Sequence, residues 1–133
     1  MIIFLRILNG LLAALFVYAA AVNVNDPDPV QWVALYAAAA VATAWAAWHP
    51  GGIPWWSPLI VGGVAAVWAS VLGQRVAGKV RFGELWSGFV ADPGMKTQLV
   101  EEGREYYGLC ITAGAMLLAA LTHWLGRHAA TGT

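Results

Sequence analysis

Four long apolar stretches constrain this chain more than any other feature of its sequence. They cover residues 2–24, 30–48, 58–76 and 106–125, and charged side chains are almost absent from them. An α-helix needs about 20 mostly apolar residues to cross ~30 Å of hydrocarbon, so each stretch has close to the required length. We therefore predict four membrane-spanning helices in one transmembrane domain, residues 1–133.

The composition supports a membrane environment. The chain is 60% hydrophobic and 11% charged, whereas soluble domains carry about 25% charged residues. Seven basic residues balance seven acidic ones, so nothing indicates a nucleic-acid partner. The single cysteine, Cys110, has no partner for an internal disulfide, and we expect it to be a small buried hydrophobic residue. Membrane lipids are the first partners that this composition implies.

The helix starts and the longest connection complete the predicted architecture. Asp28-Pro29 and Ser57-Pro58 combine a capping residue with a proline at the first helical position. Residues 77–105 separate the third and fourth stretches, and within them Phe82, Leu85, Trp86 and Phe89 recur every three or four residues. That spacing predicts a short interfacial amphipathic helix, with a hydrated loop as the alternative. The predicted fold is an all-α, integral membrane four-helix bundle with this helix before its last span.

Small residues and tryptophans indicate how the spans pack. Close helix contacts in lipid favour small side chains; the candidates are Gly10 with Ala14, Gly62 with Gly63, and Thr112 with Ala115 and Ala119. Asn9, two turns into the first span, is expected to hydrogen-bond another helix. The chain is tryptophan-rich, with eight in 133 residues. The expected belt at the membrane boundaries comprises Trp32, Trp48, Trp55, Trp56, Trp86 and Trp124.

Four crossings place both termini on one side of the membrane. The other side then carries the turn at residues 23–28, the end of the third stretch with Arg75, and the segment 77–105, with five of the seven basic residues. Basic residues favour the cytoplasmic face, so we expect that second side to be cytoplasmic, in a bacterial cytoplasmic membrane. All seven acidic residues lie there as well, and pairing between the charges leaves the orientation open.

A polar cluster is the first candidate site. Its members are Asn23, Asn25, Asp26 and Asp28 in the turn, and Glu101, Glu102, Arg104 and Glu105 ahead of the last span. Polar groups at a membrane boundary are costly unless they are paired or hydrated. The cluster fits a site for a hard cation, a lipid headgroup or a small molecule. The structural alternative is that Asp28 caps a helix, the other turn residues bond turn amides, and Arg104 neutralises the glutamates.

A histidine pair is the second candidate site. His49 follows the second span and His123 lies near the end of the fourth, so both lie at similar depth. Two neutral imidazoles facing each other can ligate a haem iron, or each can hold the magnesium of a chlorophyll-type pigment. The alternative is a pair of interfacial histidines beside Trp48 and Trp124.

No catalytic set is evident, so we predict no catalytic residues. No serine is followed by a recognisable base and acid, and no phosphate-binding glycine loop occurs. The first functional hypothesis is an accessory subunit that packs with other membrane subunits in a larger complex of respiratory or photosynthetic type. The alternative is a small membrane protein that uses the polar cluster as a binding site.

Two stretches resemble a known family. The stretches NGLLAALFVYAAAVNVNDPDPVQWVALY, residues 9–36, and EEGREYYGL, residues 101–109, are similar to the transmembrane protein 220 family of small multi-pass membrane proteins without an established biochemical function. The resemblance implies characteristic positions at Asn25, Asp26, Pro27, Trp32, Tyr36, Glu102, Arg104, Glu105 and Gly108. His49 and His123 are not part of that pattern, which counts against a haem shared by the family.

Overall fold

Four long helices make up most of the structure, a computed structural model that describes residues 1–76 and 98–132. They are α1 (Ile2–Val22), α2 (Pro29–Trp48), α3 (Ser57–Val76) and α4 (Gln98–Thr131). A short 3-10 helix, Asn23–Asn25, follows α1. Each long helix has the length and composition of a membrane span, and neither described range contains a strand. The prediction of an all-α membrane protein with four spanning helices is confirmed.

The last helix is longer than its apolar stretch. We predicted a span at residues 106–125, whereas α4 has 34 residues, which corresponds to about 51 Å. Glu101 and Glu105 therefore lie on the helix itself rather than in a connecting segment. Glutamate and arginine are good helix formers, so the helix continues where the apolar pattern stops. The interfacial helix expected around Phe82 to Phe89 lies outside the described residues.

The helices contribute to two compact units, the first formed by Met1–Gly63 with Thr112–Thr133 and the second by Val64–Ile111. In the first unit, α1 and α2 pack as an antiparallel hairpin. Phe16 and Trp32 lie on either side of Tyr36, with ring centroids 6.2 and 6.0 Å from the tyrosine ring. Trp32 is buried in this stack, so it packs within the protein in the first turn of α2. A large aromatic ring at a helix start is equally able to fill a helix–helix interface.

Small residues mark some of the helix contacts that the sequence indicated. Thr112, Ala115 and Ala119 are buried on one face of α4. A Cβ at Gly62 would lie 2.9 Å from the Cβ of Met116, so only glycine permits that approach. Gly10, by contrast, would meet its nearest neighbour at an ordinary 3.9 Å. Cys110 is exposed rather than buried, because it lies on the face of α4 opposite Thr112 and Ala115.

In the second unit, α3 and α4 meet through an aromatic contact and an ion pair. A Cβ at Gly73 would lie 2.9 Å from Cε2 of Tyr106, so the tyrosine ring packs directly on the glycine. An Arg75 guanidinium nitrogen lies 3.9 Å from a carboxylate oxygen of Glu102. The pair joins the end of α3 to the beginning of α4.

The two adjacent glycines of α3 provide a matched test of this packing. We expect Gly62→Ala to lower the midpoint of thermal unfolding in mild detergent, because overpacking against Met116 costs about 1–3 kcal/mol. Gly63 has no atom within 4 Å of its would-be Cβ. Gly63→Ala should leave the midpoint unchanged or raise it, since alanine favours a helix by about 1 kcal/mol over glycine. Equal midpoints for the two variants would contradict the close approach.

Candidate functional site

The acidic turn between α1 and α2 is held by backbone and amide groups rather than by its carboxylates. Asn23 donates its side-chain amide to the Ala19 carbonyl at 2.7 Å, and the Asp26 N–H bonds the Asn23 carbonyl. Asp28 occupies the N-cap position of α2, but its side chain makes no capping hydrogen bond. The expected side-chain cap is therefore wrong. Asn25 and Asp28 are exposed and Asp26 is half-buried. The start of α2 does not use the Asp28 carboxylate.

The charged run on α4 lies in the second unit. Glu102 is paired with Arg75, a partner that we did not predict, and Glu101, Arg104 and Glu105 are half-buried on the same helix. Arg75 is largely exposed, and such pairs contribute about 0–1 kcal/mol. The acidic turn belongs to the first unit, so its pairing with this run stays a prediction.

A different group of polar residues is deeply buried within the first unit. Asn9 on α1 and the adjacent Thr122 and His123 on α4 each have no exposed surface. We call these three residues the buried triad. Asn9 bonds Thr122 across the two helices, as the sequence led us to expect of an asparagine in a span. Thr122 was not singled out by the sequence, since a threonine in an apolar helix usually bonds its own helix.

The hydrogen bonds of Asn9 have a defined direction. The Thr122 hydroxyl donates to the Leu118 carbonyl at 2.8 Å, so its oxygen accepts the 2.9 Å bond from the Asn9 amide nitrogen. The same nitrogen donates to the Leu5 carbonyl at 2.9 Å. Both acceptors require a donor, which fixes the amide orientation. The Asn9 carbonyl oxygen is left buried without a partner among the described residues.

His123 also has one nitrogen engaged and one buried without a partner. The backbone N–H of Gly51 donates to Nδ1 at 3.0 Å. A nitrogen that accepts a hydrogen bond carries no proton, so the neutral imidazole has its proton on Nε2. That Nε2–H is buried and bonds none of the described residues. The buried triad therefore presents one unused acceptor and one unused donor.

Two glycines allow the turn to reach the histidine. Gly51 has φ +83°, a conformation that favours glycine, and its would-be Cβ lies 3.0 Å from the Arg127 backbone nitrogen. A Cβ at Gly126 would lie 2.6 Å from the Pro50 carbonyl carbon. The turn after α2 thus lies directly on α4, one helical turn from His123. In the sequence, Pro50-Gly51-Gly52 indicates only a short connection, and Gly126 carries no signal of its own.

The histidine geometry disfavours metal ligation. A metal ligand needs a lone pair, whereas the hydrogen bond from Gly51 leaves His123 with a proton on its buried Nε2. His49 is exposed at the end of α2. Within residues 1–76 and 98–132, no three His, Cys, Asp or Glu side chains come together in a way that suits a metal ion. The hydrogen bond to His123 argues against it as a ligand, and the haem or pigment hypothesis stays a prediction.

The two unpaired atoms of the buried triad, the Asn9 oxygen and the His123 Nε2–H, destabilise the fold unless a partner satisfies them. Leaving a buried donor or acceptor unpaired costs about 1–3 kcal/mol, and the hydrocarbon interior offers no alternative partner. A group with an acceptor could satisfy the His123 Nε2–H, and a group with a donor could satisfy the Asn9 oxygen. Water is the smallest molecule that has both, and a hydroxyl, carboxamide or neutral carboxyl group has the same capacity.

Two glycines of α4 test the contact that holds His123. We expect Gly126→Ala to lower the thermal midpoint, because its Cβ would collide with backbone atoms of Pro50 and Gly51; such overpacking costs about 1–3 kcal/mol. The Nδ1 signal of His123 in ¹⁵N NMR should also shift as the Gly51 bond lengthens. Gly114→Ala is the control, since nothing lies within 4 Å of that position. An unchanged His123 signal in Gly126→Ala would count against the proposed role of the turn.

Comparison with known proteins agrees with the resemblance found in the sequence. The model of a family described as transmembrane family 220, helix, matches residues 15–121. No solved structure matches the chain. The matched range covers most of the chain and includes the acidic turn, the turn at Pro50-Gly51 and the charged run on α4. This protein belongs to transmembrane family 220.

Proposed function

We propose that this multi-pass membrane protein is a non-enzymatic binding protein that holds a small neutral polar molecule at the buried triad. The observation that carries the proposal is the pair of buried, unpartnered atoms, the Asn9 carbonyl oxygen and the His123 Nε2–H. Native structures pair nearly all buried polar atoms, so unpaired ones call for a partner. Asn9 and His123 lie outside residues 15–121, so the proposal concerns this chain rather than its whole family.

The hydrogen bonds around the triad favour binding over catalysis. A nucleophilic hydroxyl needs a base to accept its proton, but the Thr122 proton is donated to the Leu118 carbonyl. His123 accepts from Gly51 through Nδ1, so that nitrogen is not available as a base. A bound molecule would accept from Nε2–H and donate to the Asn9 oxygen. A neutral ligand fits best, because a charge in this environment would be costly without a counter-charge.

Native mass spectrometry of the gently extracted protein tests this proposal. We expect the wild type to carry a small organic adduct that is lost in both Asn9→Leu and His123→Phe, because each variant removes one of the two unpaired atoms. Thr43→Val is the matched control, since the buried Thr43 hydroxyl bonds only carbonyls of its own helix. A wild-type spectrum without an organic adduct would overturn the proposal and leave water as the occupant.

The predicted boundary cluster is a weaker alternative binding site. The unused carboxylates of Asp26 and Asp28 and the Glu102–Arg75 pair support it, since hydrated carboxylates suit a cation and a cation–carboxylate pair suits a lipid headgroup or small molecule. The same mass spectra, recorded with metal analysis for Glu105→Gln, decide between the sites. Ligand content equal to that of the wild type would reject the boundary site.

A second candidate function is that of an accessory subunit in a larger membrane complex, for instance of respiratory or photosynthetic type. Its support is the outer face of α1, where a continuous apolar strip is exposed along the whole helix. The strip comprises Ile3, Ile7, Leu11, Leu15, Tyr18 and Val22. Lipid covers such a strip as well as a partner does. If the chain migrates alone after extraction in mild detergent, the accessory role fails.

We also propose that both termini lie on one side of a bacterial cytoplasmic membrane. The contacts of α1 with α4 support this, because Asn9, early in α1, bonds Thr122, late in α4. A membrane-impermeant label should then reach a cysteine introduced at either terminus from the same side. Labelling of the two termini from opposite sides would reject this topology.

A further inference from the structure

A basic end of the first unit lies opposite its acidic turn. The acidic residues of this unit are Asp26 and Asp28, both in the connection between α1 and α2. The other end of that hairpin carries Arg6 on α1 and the turn that follows α2, and Arg127 packs against this turn through Gly51. Within the first unit, this end therefore has positive charge without a compensating acidic side chain.

Two hydrogen bonds hold the Arg6 guanidinium, and its remaining N–H donors are unused among the described residues. Its Nε donates to the Ala47 carbonyl at 2.7 Å, and one terminal nitrogen donates to the Trp48 carbonyl at 3.4 Å. These carbonyls end α2, where a cation is favoured by the helix dipole. A guanidinium has five N–H donors, and the second terminal nitrogen bonds nothing among the described residues. Arg6 is exposed, so a ligand can reach those donors.

An apolar groove begins next to this arginine. A cavity of about 570 Å³ opens on the outer face of α2, and the described residues that line it are Val41, Ala44, Trp45, Trp48 and His49. Trp48 links the two features, since it lines the groove and its carbonyl accepts from Arg6. The lining spans eight residue steps, about 12 Å along the helix. This length is close to the ~15 Å depth of one hydrocarbon leaflet, half of the core thickness.

We propose that the groove and Arg6 form a binding site for an anionic phospholipid. The acyl chain lies along Val41 to Trp48, and the phosphate accepts hydrogen bonds from the guanidinium of Arg6. Arginine pairs well with phosphate because its planar fork matches two phosphate oxygens. Trp45 and Trp48, 48% and 86% exposed, border the chain at the level where indoles favour the membrane interface. The lack of acidic residues at this end selects an anionic headgroup over a zwitterionic one.

Lipid titrations of the purified full chain, followed by native mass spectrometry, test this proposal. We expect the wild type to bind phosphatidylglycerol about fivefold more tightly than phosphatidylcholine. One basic residue near an anionic headgroup contributes about that factor in affinity. Arg6→Gln should bring the two affinities close to equal. Trp48→Ala should weaken both lipids alike, because it shortens the wall of the groove. Arg75→Gln, which removes an arginine of the second unit, is the control and should keep the preference.

The ionic strength provides a readout that needs no variant. Raising ammonium acetate from about 50 to about 500 mM should reduce the phosphatidylglycerol preference of the wild type, since salt screens an exposed phosphate–arginine pair. If Arg6→Gln does not fold, this salt titration of the wild type tests the lipid-binding proposal. A wild type without headgroup preference, or an equal loss of preference in Arg75→Gln, would overturn the proposal. If Arg6→Gln keeps the adduct at the buried triad, the lipid site and the buried triad are independent.

Discussion

The absence of water in the hydrocarbon interior is the constraint on which this structure depends. A helix satisfies its own backbone groups there, and a threonine or serine can satisfy its hydroxyl by bonding a carbonyl one turn earlier. Thr43 and Ser70 do so, with bonds of 2.8 Å to Ala39 and Ala66. Asn9 and His123 differ, because each has one more polar atom than its surroundings can pair. They therefore stand out chemically from the other buried polar residues of the first unit.

The buried triad is built as much by backbone as by side chains. The partner of His123 is a backbone N–H, and the partners of Asn9 and Thr122 include two helix carbonyls. A backbone group has a fixed position once its helix or turn is formed, so these contacts set the orientation of the His123 ring and the Asn9 amide. The close contact of Pro50 with Gly126 brings the turn into place. The turn offers His123 a donor, the Gly51 N–H, and not an acceptor. The imidazole is therefore neutral, with its proton on Nε2.

The sequence allowed the spans to be predicted, but not the site. Hydropathy identifies residues that tolerate lipid, and it located α1, α2 and α3 closely. It did not locate the start of α4, because Glu101 to Glu105 favour a helix without favouring lipid. Cys110 was misplaced for a related reason: composition gives the depth of a residue and not the face on which it lies. The triad depends on residues more than a hundred positions apart in the chain, Asn9 and Thr122, and no local pattern encodes that distance.

The position of Arg6 connects the two proposed sites through the geometry of α1. Arg6 lies three residues before Asn9, about 4.5 Å along the helix axis. Its bond to the Ala47 carbonyl joins α1 to the end of α2, whereas the bond of Asn9 to Thr122 joins α1 to α4. A cation at a helix C-terminus is stabilised wherever that terminus meets the headgroups. The two contacts thus lie within one turn of α1, although the ligands proposed for the two sites differ in chemistry.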